Sequence, residues 1–131
     1  MASIFTRIVD GEIPSYKIAE SEDYFAFLDI NPLKRGHTLV IPKLEVDYIF
    51  DLEEKLLAGL HVFASEVARA IEKVVPCKRI AVVVLGLEVP HAHIHLIPID
   101  SELDTRFSNP RVKMTTEEFN ELAAKISAEL K

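Results

Sequence analysis

Apolar and polar positions along the chain switch between two periods, and the switches mark the elements. Ile4-Phe5-Thr6-Arg7-Ile8-Val9 carries apolar residues at 4, 5 and 8, which predicts a short helical turn ended by Asp10-Gly11 and Pro14. Lys17 to Glu20 predicts a first strand. Tyr24-Phe25-Ala26-Phe27-Leu28-Asp29-Ile30 predicts an aromatic-rich second, joined to it by Ser21-Glu22-Asp23 as a hairpin turn. Asn31 to Gly36 reads as a loop by its turn residues, and His37-Thr38-Leu39-Val40-Ile41 as a strand stopped by Pro42. Leu52, Leu56, Leu60, Phe63, Val67, Ile71 and Val74 recur at helical steps. Asp51 or Asp47 is the expected cap of that helix, and Pro76 its stop. His61 lies off the stripe, on the helix surface.

Arg79 to Leu85 is an apolar run rich in β-branched residues and predicts a buried central strand. Gly86 to Pro90 connects it tightly to His91-Ala92-His93-Ile94-His95-Leu96-Ile97. If these two strands pair antiparallel, they form the centre of the sheet. Ser101 to Lys113 is polar and reads as a surface loop. Thr115 with Glu118 has the capping-box pattern ahead of Phe119, Leu122, Ala123 and Ile126, the start of a C-terminal helix. The sum is one α+β domain over residues 1–131, an antiparallel five-stranded sheet with one long central helix and a C-terminal helix.

The histidine strand carries the chemistry. On an extended strand residues i, i+2 and i+4 line one face, so His91, His93 and His95 share a face opposite Ala92, Ile94 and Leu96. Such a row has three uses. It could ligate a metal with help from elsewhere, since three collinear positions diverge. It could act on a phosphoryl centre, one neutral imidazole attacking phosphorus while another donates hydrogen bonds to the oxygens. It could also be a solvated face that is merely rich in histidine.

Composition narrows the classes. No apolar run approaches the roughly 20 residues of a membrane span. Met1-Ala2-Ser3-Ile4-Phe5-Thr6-Arg7 has no signal-peptide apolar block, so a cytoplasmic location is expected. Cys77 is the lone cysteine, which excludes an intrachain disulfide and a cysteine zinc cluster. A net charge of −6 argues against broad nucleic-acid binding.

His91-Ala92-His93-Ile94-His95-Leu96-Ile97 resembles the signature of the histidine triad family of nucleotide hydrolases and transferases. Ile4-Phe5 with Gly11-Glu12-Ile13-Pro14, Phe27-Leu28-Asp29-Ile30-Asn31-Pro32, and Gly36-His37-Thr38-Leu39-Val40-Ile41-Pro42-Lys43 resemble further segments of its small stand-alone branch, in order, to about residue 100.

The resemblance implies a hydrolase or nucleotidyl transferase that cleaves a nucleoside α-phosphate from its leaving group. Dinucleoside polyphosphates, phosphoramidates and acyl adenylates are the candidate substrates. His93 would be the nucleophile and carry a covalent nucleotidyl group; His95 would contact phosphate oxygens, His91 would orient the site and His37 would support a neighbouring imidazole. Asp29 would accept the ribose hydroxyls, and Phe5, Ile8, Phe27, Ile30 and Val89 would wall a purine base. A homodimer is implied, with no cofactor. Branch members bind a structural zinc through two cysteines and two histidines; here three of those positions are Ser3, Thr6 and Glu45, so no metal is expected. Leu87 and Glu88 stand where relatives carry polar uncharged residues before the triad. They motivate a rival reading, a nucleotide-binding interaction module with little or no turnover.

Overall fold

The computed structural model describes residues 2–130; Met1 and Lys131, the ends of the expected unit, lie outside the described residues. A short helix α1 (Ile4–Val9) leads into β1 (Lys17–Glu20), β2 (Tyr24–Leu28) and β3 (Thr38–Pro42). The long helix α2 (Glu54–Val74) follows, then β4 (Arg79–Val83), β5 (Ile94–Ile99) and α3 (Thr116–Ala128). The five strands form one sheet in the order β1-β2-β3-β5-β4, every neighbouring pair antiparallel. The architecture is α+β, as the periodicities predict. Among the described residues no helix is long and apolar enough to cross a membrane.

Alternation along the strands sorts side chains onto two faces. Ala26, Leu28, Val40, Ile94 and Leu96 pack against Leu60, Val67 and Ile71 of α2 and Phe119, Leu122 and Ile126 of α3. The other face presents Phe25, Phe27, Leu39 and Ile41, which α1 covers in part through Phe5. The second face is roofed by only one short helix, and this is where the sheet leaves room for a ligand.

Three expectations need correction. Arg79 to Leu85 is not the central strand: β4 lies at the sheet edge, and Val82 and Leu85 are 58% and 53% exposed. β3 and β5 hold the centre; an apolar run is equally at home on an edge whose outer side is apolar. The histidine strand starts three residues late, at Ile94. A tight turn after Pro90, with the His91 N–H donating to the Val89 carbonyl at 2.8 Å, keeps His91 out of the ladder, and the Ala92 N–H donates to Val46 in a loop. The cap of α2 is neither Asp47 nor Asp51 but Glu53, whose carboxylate accepts the Leu56 N–H; Asp51 sits in a 3₁₀ turn, Ile49–Asp51.

Other boundaries match the sequence closely. α1 ends at Asp10 with Gly11 in a left-handed conformation. Thr115 and Glu118 form the capping box of α3. Gly36, at φ +97°, turns the chain into β3; a Cβ there would lie 3.0 Å from Val75 Cγ2 and 3.2 Å from Pro98 Cγ. Only glycine meets both demands, and its neighbour His37 is thereby delivered, fully buried, beside the first strand pair.

Candidate functional site

A cavity of about 470 Å³ opens on the α1 face of the sheet. Phe5 and Ile8 from α1, Phe27 from β2 and Val89 from the loop before the triad line its apolar walls. Asp29 and Ile30, just past β2, form one rim, where Ile30 is 72% exposed. All six residues expected to bind a nucleotide therefore border one space. Of the four expected catalytic histidines, His93 and His95 line it, while His91 and His37 stand behind them and do not. Phe5 meets His93 edge-on with ring centroids 5.0 Å apart, and His93 meets His95 likewise at 4.9 Å.

Fixed backbone partners assign the imidazole protons. His93 Nδ1 lies 2.7 Å from the His91 carbonyl oxygen. A carbonyl only accepts, so His93 carries its proton on Nδ1 and its Nε2 bears a lone pair. The Leu33 N–H donates to His37 Nδ1 at 3.0 Å, which leaves the His37 proton on Nε2. That N–H points at His95 Nδ1, 3.0 Å away, so the His95 proton sits on Nε2. Among the described residues neither His93 Nε2 nor His95 Nε2 has a hydrogen-bond partner, yet no buried side-chain polar atom is left unsatisfied. Both atoms are therefore reached through the cavity. The site presents one nitrogen lone pair and, from the next imidazole, one N–H donor.

Burial holds all four histidines below their ordinary pKa. His37 is brought down to about 4 by burial and by the positive charge of Arg111. His95 falls to about 3, through burial first and then the neighbouring His37 and His93. His91 and His93 are lowered chiefly by burial, and the carbonyls they donate to work against it. At neutral pH the imidazoles are uncharged, which a nucleophile needs. Asp29 is doubly engaged: Oδ1 accepts the Asn31 N–H at 2.8 Å, so the residue does shape a turn, and Oδ2 lies 3.6 Å from His37 Nε2 at the cavity rim.

Comparison with known proteins places this geometry. The HIT domain family model matches residues 10–102, which include the Asp29 rim, His37 and the whole triad. The chain belongs to the HIT family. An adenosine 5'-monophosphoramidase of Schizosaccharomyces pombe is 34% identical over 137 residues, covering 100% of both chains. An uncharacterized HIT-like protein of Borreliella burgdorferi is 32% identical over 139 residues, covering 95% of each. Among solved structures, a Hit-like protein involved in cell-cycle regulation from Bartonella henselae, determined with an unknown ligand, superposes with a TM-score of 0.82 at 31% identity, covering 97% of this chain and 95% of that one.

In this HIT protein, Ser3, Thr6, Glu45 and His91 come together at the foot of α1. Glu45 Oε1 accepts the Ser3 N–H and the Thr6 hydroxyl, each at 2.6 Å. His91 Nε2 donates to the Pro42 carbonyl at 2.7 Å, so its Nδ1 accepts, and the Ser3 hydroxyl lies 2.8 Å from it. Hydrogen bonds thus tie the start of α1 to the loop after β3 and, through His91, to Pro42 at the end of β3. Elsewhere, ligand atoms of Asp29, His37 and His95 lie within 4.8 Å of one another and could hold a cation, at the expense of the His37–His95 hydrogen bond.

Two cavity-lining residues lie outside every sequence signal, in the segment read as a polar surface loop. Phe107 packs edge-on against His95 at 4.9 Å, and Arg111 holds its guanidinium carbon 5.5 Å from the Phe107 ring centroid. Arg111 also donates to the carbonyls of Asn31 at 2.9 Å and Phe107 at 3.0 Å, and the Val112 N–H donates to Pro32 at 2.9 Å. The segment is thus strapped across the Asp29 rim. Phe107 interrupts a run of polar residues in the sequence and was the one available clue.

Proposed function

We propose that this HIT protein is a hydrolase or nucleotidyl transferase that cleaves the bond between a nucleoside α-phosphate and its leaving group, with an adenine nucleotide as the favoured substrate. The observation that carries the reading is the His93 tautomer. The His91 carbonyl holds the proton on Nδ1, so the Nε2 lone pair faces the cavity in a neutral ring. In this reading Nε2 forms a bond to phosphorus as the bond to the leaving group breaks, and the leaving group departs with the electron pair. Water then attacks the same phosphorus, releases the nucleoside monophosphate and restores His93. The His95 Nε2–H hydrogen-bonds the phosphate oxygens as charge develops on them, a role its fixed tautomer suits. The Asp29 carboxylate takes the ribose hydroxyls, and Phe5, Ile8, Phe27, Ile30 and Val89 enclose the flat base. Relatives named adenosine 5'-monophosphoramidase favour a phosphoramidate substrate, whose leaving group is an amine. The test is to follow adenosine monophosphate release from adenosine phosphoramidate, an acyl adenylate and dinucleoside polyphosphates. Release from at least one is expected, and release from none contradicts the reading.

One observation favours a second reading. Glu88 puts a carboxylate on the cavity wall, where it repels a phosphate. Tight binding of adenosine monophosphate with no turnover of any substrate selects a binding module instead.

We also infer that the protein acts as a homodimer through the free edge of the sheet. Among the described residues β4 has no strand partner on its outer side, and Val82, Leu85 and, lining one small cavity with Leu85, Phe50 are exposed. An apolar strand edge left open in this way invites pairing. Val82→Lys is expected to convert a dimer to a monomer in sedimentation; a monomeric wild type contradicts the inference.

A further inference from the structure

The nucleotide reading leaves a charge problem. A phosphate is an anion, and the histidines that would receive it are neutral. The remaining charged side chains on the cavity wall are Asp29 and Glu88, both negative, and Arg111. We propose that Arg111 is a phosphate-recognition residue of this cavity, supplying the fixed positive charge that the imidazoles do not.

Geometry supports this in three ways. Among the described residues, Arg111 is the only Lys or Arg that lines the cavity, and no carboxylate lies within ion-pair distance of it. Its two hydrogen bonds, to the Asn31 and Phe107 carbonyls, engage two of the five N–H groups of a guanidinium, so three remain to donate. Those carbonyl bonds and the Phe107 ring hold the group in place, so little side-chain freedom is lost when an anion arrives. A single aromatic ring separates the guanidinium from His95. Arg111 shares one cavity with His93 and His95, and the group it would bind there is an oxygen of the α-phosphate or a phosphate in the leaving group. The shared chemistry is a phosphate oxygen accepting charge-assisted N–H bonds, for which arginine is suited by its fork of donors.

The proposal rests on the nucleotide reading, and the experiment separates the two. Adenosine and adenosine monophosphate are titrated calorimetrically into the full-length wild type, Arg111→Gln and Arg111→Lys. Turnover of adenosine phosphoramidate and of a dinucleoside polyphosphate is measured in parallel. Failure of the wild type to bind adenosine monophosphate or adenosine overturns the nucleotide reading itself. Given wild-type binding, Arg111→Gln is expected to weaken adenosine monophosphate by about 10- to 100-fold, the usual worth of a hydrogen bond to a charged group, with adenosine changed far less. Arg111→Lys is expected to recover part of that loss. If the monophosphate is unaffected but the polyphosphate loses kcat/KM relative to the phosphoramidate, Arg111 reads the leaving-group phosphate. Equal weakening of adenosine and adenosine monophosphate, with both substrates affected alike, makes Arg111 only a strut of the strap and overturns the proposal. So does no change in either comparison.

Discussion

His37 Nε2 lies 3.0 Å from His95 Nδ1, and the proton between them belongs to His37, because the Leu33 N–H already occupies its other nitrogen. One backbone amide thus dictates, through two successive hydrogen bonds, which nitrogen of the His95 imidazole carries a proton into the cavity. His37→Ala strands two buried groups, the Leu33 N–H and His95 Nδ1. The expected cost is roughly 2–6 kcal/mol of folding stability, at about 1–3 kcal/mol for each unsatisfied group. Turnover should fall in kcat more than in KM, since His95 loses the partner that sets its tautomer. Chemical denaturation and steady-state kinetics check both; a stability loss below about 1 kcal/mol contradicts the assignment.

Stability should depend on pH with a definite sign. His37 and His95 titrate at about 4 and about 3 in the folded protein, against 6.5 in the unfolded chain. Between those values the unfolded chain binds protons that the fold refuses, so stability falls as pH drops from about 6.5 toward 4. Each such histidine contributes a slope of about 1.4 kcal/mol per pH unit in that window. The lowered pKa of His93 also keeps its imidazole, the proposed nucleophile, neutral, so the acid limb of kcat/KM should lie below pH 6.5. Urea melts and rate profiles from pH 4 to 8 measure these. Stability that is flat or rising as pH falls below 6 would be incompatible with neutral buried imidazoles.

Glu45 tests how α1 is held. It is exposed, yet its carboxylate takes the Ser3 N–H and the Thr6 hydroxyl at one end of the helix that carries Phe5 and Ile8. Those bonds hold its carboxyl below the usual range. Glu45→Ala removes both bonds from the start of α1 to the loop after β3, so adenosine and adenosine monophosphate should weaken in parallel, with KM rising and kcat changing little. Glu45→Gln keeps one acceptor oxygen and should lie between. Equal binding by Glu45→Ala and wild type would show that α1 needs no such tie.

Much of this was legible from spacing. The Phe27-Leu28-Asp29 alternation puts Phe27 on one face of β2 and Leu28 on the other, and the cavity and the core divide there. The histidine row was legible as a shared set of side chains, though only His95 lies within β5. Its two companions are placed by a turn after Pro90 and by carbonyl bonds that no periodicity encodes. Arg79 to Leu85 misled because apolar content reports contact with something apolar, and cannot distinguish a sheet interior from an open edge. Arg111 was not legible, and Phe107 only as a lone aromatic in a polar run. They reach the cavity only because Arg111 and Val112 bond carbonyls near Asp29, about 80 residues away in sequence. The Ser3, Thr6 and Glu45 cluster joins residues 39 to 42 positions apart, and only the fold brings the Ser3 N–H and the Thr6 hydroxyl to one carboxylate.

In the proposed reaction His93 Nε2 is the atom that bonds phosphorus. The most direct measurement is rapid acid quench of the protein with an adenylate substrate, followed by mass spectrometry of the intact chain and of the peptide containing His93. An adenylyl group on His93, absent from His93→Ala along with turnover, is the predicted result. Wild-type turnover in His93→Ala, or an adenylyl group on another residue with His93 unmodified, would contradict it.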